Sequence, residues 1–145
     1  MSRSSETPPL QLVRECSLLA RRWRTFYNAQ IRASGLTLAR VTVLYWLDAL
    51  SGTATQRELA DIVGIEGPTL VRQLHALEQS GLIERVSNPT DRRANSVRLT
   101  PAAEPVLAQI HVMNDHLSRE ALKALDGRRL ASATKLIMDA RAALP

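Results

Sequence analysis

Thr55-Gln-Arg-Glu-Leu-Ala-Asp-Ile-Val-Gly64 runs straight into Ile65-Glu-Gly-Pro-Thr-Leu-Val-Arg-Gln-Leu-His-Ala-Leu-Glu-Gln-Ser-Gly81, and together they spell two short helices around a turn. Thr55 and Glu58 stand at the spacing of a capping box, in which hydroxyl and carboxylate satisfy each other's orphan backbone donors. Leu59, Ile62 and Val63 then recur on one face, and Gly64 closes the helix. Pro68 sits in the first turn of the next helix, where its missing N–H costs nothing. Leu70, Val71, Leu74 and Leu77 form its inward stripe, which leaves Thr69, Arg72, Gln73 and Ala76 toward solvent. Two short helices joined by a glycine-bearing turn make a helix-turn-helix candidate.

Downstream, Leu82 to Val86 alternates as a strand, Ser87 to Asn95 is turn chemistry, and Val97 and Leu99 share one face of a returning strand. The expected product is a hairpin with a basic tip at Arg92 and Arg93, beside Asp91. A helix-turn-helix followed at once by such a wing has the parts of a DNA reader: one helix for the major groove and cations for the neighbouring minor groove. Arg72 offers a fork to guanine, Gln73 a pair of bonds to adenine, and Thr69 a hydroxyl or methyl for phosphate or thymine. The capped helix start at Thr55 and Gln56 suits phosphate, and Pro68 is counted among the DNA-binding residues. Asp91 supports the wing by holding one guanidinium while the other enters the narrow groove. Arg85 either reaches phosphate from the strand or pairs with Glu84 or Glu78.

Upstream, Thr7-Pro8-Pro9 opens a helix expected over about Pro9 to Ala33, with positions 12, 16, 19, 23 and 26 at helical spacing. Thr37 caps a largely buried helix from Leu38 to Leu50. All five aromatics, Trp23, Phe26, Tyr27, Tyr45 and Trp46, fall in these two segments. After the wing, Thr100-Pro101 starts a helix reaching about Leu125, its first turns bent or frayed by Pro105. Asp126 caps a last helix through Leu144.

With 145 residues, 45% hydrophobic and 23% charged, the chain has the size and composition of one soluble globular domain. It has neither an apolar run of membrane-spanning length nor a signal-peptide core at its start, so a cytoplasmic, nucleoid-associated protein without membrane partners is expected. A net charge of +5 favours anionic partners, yet residues 55 to 100 balance six Arg against six acids, so net charge does not locate the DNA face. One cysteine, Cys16, excludes an intramolecular disulfide and a Cys-rich zinc site. His111, Asp115 and His116 are too few to close a metal site, and no nucleophile has a His and acid partner. No enzyme activity, cofactor or metal is expected.

The run Leu59-Ala-x-x-Val-Gly-Ile-Glu-x-Pro-Thr-Leu-Val-Arg72, then Leu77-Glu-x-x-Gly-Leu-Ile83, Asp91-Arg-Arg-Ala94 and Leu99-Thr-Pro101, resembles the MarR family of bacterial winged-helix regulators, and within it the SlyA branch. The likeness extends through Trp23-Arg24 and Ala103-Glu-Pro105. It implies a mainly α fold with a small β-hairpin wing, in an entwined α-helical homodimer. Residues 1 to 145 form one domain in this reading, with dimerisation helices at about 1–36 and 101–145 and the winged lobe at about 37–100. It further implies a pseudo-palindromic promoter operator and a small-molecule pocket between the dimer base and the lobes. Arg21 and Arg24 share a helical face at i and i+3, Trp23 lies between them in sequence, and Tyr45 adds a hydroxyl and a ring. In the SlyA-like arrangement these four approach the pocket, where an anionic aromatic effector would release a repressor from DNA. Arg21 and Arg24 equally suit a solvated face or a contact across the dimer. A constitutive architectural, anti-silencing DNA binder is the alternative, and a redox-sensing regulator through Cys16 is another. Some relatives sense peroxides through a first-helix cysteine oriented by tyrosines. Here Leu38 follows Thr37 where such sensors place a tyrosine, which favours Cys16 as a packing residue.

Overall fold

The computed structural model describes residues 7–32, 35–87 and 95–145. Among the described residues, six α-helices and three strands run in the order α1 (Pro8–Ile31), α2 (Leu38–Ala49), β1 (Thr53–Thr55), α3 (Gln56–Val63), α4 (Gly67–Gln79), β2 (Ile83–Ser87), β3 (Asn95–Leu99), α5 (Glu104–Leu122) and α6 (Gly127–Ala142). Residues 1–110 and 111–145 form two compact units.

The core of the first unit is built mainly from α2, α3, α4 and the sheet, with Ile31 of α1 and Ile110 of α5 added to it. Ile31, Val41, Val43, Leu44, Leu47, Leu59, Leu70, Leu74, Leu77, Ile83 and Val97 are sealed from solvent. Burying a side chain of this size contributes about 1.5–3 kcal/mol each, which makes this cluster the main stabiliser of the lobe. The sheet has the order β1-β3-β2, all antiparallel, with Ala54 opposite Val97 and Glu84 opposite Arg98. The hairpin expected from the sequence therefore carries a third strand. β1 is only three residues long, and its last residue, Thr55, is also the cap of α3, so no alternation of its own announces it.

Thr37 caps α2 as its spacing predicts, its hydroxyl accepting from the Arg40 N–H at 3.3 Å. Thr7 and Asp126 occupy N-cap positions without a side-chain capping bond. A 3₁₀ turn at Pro101–Ala103 precedes α5, so Pro105 lies in the first turn of a regular helix instead of bending it, and α5 ends at Leu122. α1 runs to Ile31 with Arg32 as its C-cap; the expected end at Ala33 lies outside the described residues. Two residues expected inward, Ile62 and Val71, are each 39% exposed. α1 also displays Leu10, Val13, Leu18 and Leu19 to solvent.

In the second unit, α6 has no buried residue and displays Leu136, Ile137 and Met138, while Leu117 on α5 is buried. No helix among the described residues is long and apolar enough to cross a membrane.

Candidate nucleic-acid interface

α3 begins with the capping box that the sequence predicts. The Thr55 N–H donates to Glu58 Oε2 at 2.7 Å, the Thr55 hydroxyl to the same oxygen at 2.8 Å, and the Glu58 N–H donates back to Thr55 Oγ1 at 3.2 Å. The Thr55 N–H, followed by its hydroxyl, holds the Glu58 carboxyl below the usual carboxylate range. Thr55 thus spends both its donors inside the protein. Gln56, half-buried, and the exposed Arg57 follow it at the helix start. Gly64 ends α3 at φ +66, a left-handed conformation suited to glycine, and its N–H closes on the Ala60 carbonyl.

After Ile65 and Glu66, α4 starts at Gly67-Pro68. Leu70, Leu74 and Leu77 lock one face into the core. The opposite face is a stripe at i, i+4, i+7 and i+11, consisting of Pro68, Arg72, His75 and Gln79, all exposed. Thr69, Gln73 and Ala76 flank it and are half-buried. Arg72 is therefore central to the outward face and Gln73 lies at its edge. His75 and Gln79 were not singled out from the sequence; extending the helical period outward from Arg72 would have found both.

Both described wing arginines face acids. Arg85 Nε lies 3.3 Å from Glu78 Oε2, which realises one of the alternatives open for this residue. Glu84 is taken by Arg98, whose Nε and Nη2 approach Oε1 at 2.8 and 2.7 Å. Asp91, Arg92 and Arg93 lie outside the described residues.

Of the expected effector residues, Arg21 lines a shallow depression of about 310 Å³ on α1 with Arg22, Thr25 and Phe26. Arg24, Trp23 and Tyr45 are not in its lining. Trp23 packs its ring on Tyr27, with centroids 5.7 Å apart, and on Phe26 at 5.8 Å. Tyr45 meets Trp46 edge-on at 5.4 Å. Tyr27 is buried, and burial, with the nearby Tyr45 adding to it, pushes its phenol up to about 12. Tyr27, stacked on Trp23 of α1, lies close enough to Tyr45 of α2 to feel its charge. Cys16 is half-buried on α1, and Asp115 accepts from Arg119 Nε at 2.9 Å.

A helix-turn-helix whose second helix turns a polar stripe outward, backed by an antiparallel sheet ending in a hairpin, defines a winged-helix DNA-binding protein. Residues 34–94 match the MarR family. The solved structure of transcriptional regulator PA3341 is 34% identical, with 90% of this chain and 96% of that one covered, at a TM-score of 0.80. A mutant MarR from E. coli complexed with operator DNA is 25% identical, covers 94% of this chain and 95% of its own, and superposes at 0.74. Bordetella bronchiseptica BpsR, solved to explain regulation of its DNA binding by 6-hydroxynicotinic acid, shares the fold at 19% identity, with 90% and 98% covered and a TM-score of 0.75. The chain belongs to the MarR family of transcriptional regulators.

Proposed function

We propose that the protein is a ligand-responsive repressor that binds a pseudo-palindromic promoter operator as a homodimer. The observation that carries this reading is the division of α4: Leu70, Leu74 and Leu77 are sealed in the core, and Arg72 stands at the centre of the exposed opposite face. An exposed helix face so anchored enters a major groove without unfolding anything, and Arg72 there meets guanine O6 and N7. Pro68, Thr69, His75 and Gln79 accompany it, with Gln73 reading from the flank. Gln56 and Arg57 take phosphate at the start of α3, where the committed donors of Thr55 shape the turn. Arg92 and Arg93, supported by Asp91, extend the contact to backbone and minor groove.

The dimer is supported by apolar surface. Val13 is 62% exposed on α1 and Ile137 44% on α6, each among further exposed apolar side chains. Covering them with a second copy recovers about 25 cal/mol for every Å² buried. Residues about 1–36 and 101–145 are accordingly the dimerisation helices in this proposal.

The effector is an anionic aromatic acid held near Arg21 with the Trp23, Arg24 and Tyr45 surface, and regulation of BpsR by 6-hydroxynicotinic acid supports that ligand class. Guanidinium matches the carboxylate, and apolar walls desolvate the ring. The ligand acts only if it binds the DNA-free arrangement more tightly than the DNA-bound one.

The test is selection of duplexes from a randomised pool, followed by titration of the complex with salicylate, 4-hydroxybenzoate and 6-hydroxynicotinic acid. Wild type should enrich a two-fold symmetric sequence and release it at millimolar acid, and Arg21→Ala should blunt the release. Enrichment with no response to any acid favours the architectural reading. No enrichment removes the DNA-reading role altogether.

A further inference from the structure

The carboxyl end of α4 lacks what such an end ordinarily uses. Its last turn contains Glu78 and no basic residue, so nothing of its own balances the negative end of the helix dipole. Two cations come from other elements: Arg85 of β2 pairs with Glu78 at 3.3 Å, and a second, 36 residues away in sequence, reaches a helix carbonyl. Arg40, in the first turn of α2, donates from Nη2 to the Ala76 carbonyl at 3.2 Å in a part-buried contact. The same carbonyl accepts the Ser80 N–H at 3.2 Å, so helix cap and guanidinium converge on one oxygen. Arg40 is itself anchored at its backbone N–H by the Thr37 cap. Ala76 is one turn beyond Arg72.

We propose that Arg40 is a positioning residue for DNA reading: it fixes the carboxyl half of α4 and with it the register of Arg72 on base edges, without touching DNA. The inference rests on the DNA-reading role proposed above for α4. A charge-assisted bond from a fixed guanidinium restrains both the rotation and the slide of the helix end. The core leucines hold the buried face of α4, and the hydrogen bond adds a directional restraint at its carboxyl end. Loss of the bond should therefore affect discrimination more than total affinity.

The experiment compares wild type, Arg40→Met, Arg40→Lys and Arg72→Ala on a duplex enriched by wild type and on its scrambled counterpart, across a salt series, with thermal melts of each protein. Arg40→Met should bind the enriched duplex about tenfold more weakly, with little change on the scrambled one and an unchanged salt slope. Arg40→Lys keeps the charge and a donor but not the planar fork, and should lose about threefold. It carries the test alone if the Met variant does not fold. A salt slope lower by about 0.9 would show a phosphate contact in place of a positioning role. Equal losses on both duplexes that track the melting temperature, or wild-type discrimination in Arg40→Lys and Arg40→Met alike, would overturn the proposal. If wild type itself shows no preference for any duplex, the DNA-reading role fails first; if Arg72→Ala loses discrimination and the Arg40 variants do not, only this inference fails.

Discussion

Arg72 and Gln73 are neighbours in sequence, but the helix separates them by about 100°, and burial of Leu70, Leu74 and Leu77 decides which points outward. Arg72→Ala should therefore cost about 1–3 kcal/mol of discrimination at one base position, and Gln73→Ala distinctly less, measured as the affinity difference between matched and mismatched duplexes. Equal effects would mean that the flank reads as much as the crest. At the same scale, Tyr27 links stability to alkaline pH. Its phenol is raised to about 12, so the folded chain keeps a proton that the unfolded chain releases near pH 10. The contribution is complete below pH 10 and is lost as pH rises toward 12. Urea unfolding of wild type and Tyr27→Phe between pH 9 and 11.5 should show a steeper decline in wild type; parallel curves would contradict the assignment. Glu58 works in the opposite sense, its depressed carboxyl adding stability above the ordinary carboxylate range that disappears as pH falls through its folded value. Glu58→Gln, which keeps an accepting oxygen, should flatten that acid limb in the same assay. The Thr55–Glu58 box was legible in the sequence because every atom it needs lies within four residues. The pairing of Arg85 with Glu78 was not decidable there, since choosing between Glu78 and Glu84 requires knowing that Arg98 occupies Glu84.

The helices proposed to read DNA were evident at the scale of elements, because turn glycines, caps and apolar periodicity agree over residues 55–81. β1 escaped notice because three residues have no period, and their strand character comes from pairing with β3 more than forty positions later. Val71 was misplaced for a related reason: hydrophobicity marked it as inward, whereas the stripe through Leu70, Leu74 and Leu77 already fills the buried face of α4. Leu74→Ala, which opens a cavity at the centre of that stripe, should cost about 2–5 kcal/mol in denaturant unfolding. Val71→Ala should cost far less, and a comparable loss would place Val71 in an interface. For the wing, replacing Arg92 or Arg93 with Ala should weaken binding to every sequence and lower the salt slope by about 0.9 per lost phosphate contact. Unchanged affinity in both variants would remove the wing from the DNA interface.

For the whole molecule, the proposed dimer accounts for two features that no single element explains: the apolar side chains displayed on α1 and those displayed on α6. Removal of residues from Asp126 onward should leave aggregated or monomeric protein that no longer holds the enriched duplex; full affinity as a monomer would refute the assembly. The proposed effector site was the least legible feature, because a site drawn from two helices leaves no local pattern; Arg21 lines the α1 depression with Arg22, Thr25 and Phe26. If two copies of α4 read one duplex together, a hydroxyl-radical footprint of wild type on its enriched duplex should show two symmetric protected patches on one face, their centres about one helical turn or ~34 Å apart. A single patch or uniform protection would mean that the two copies do not.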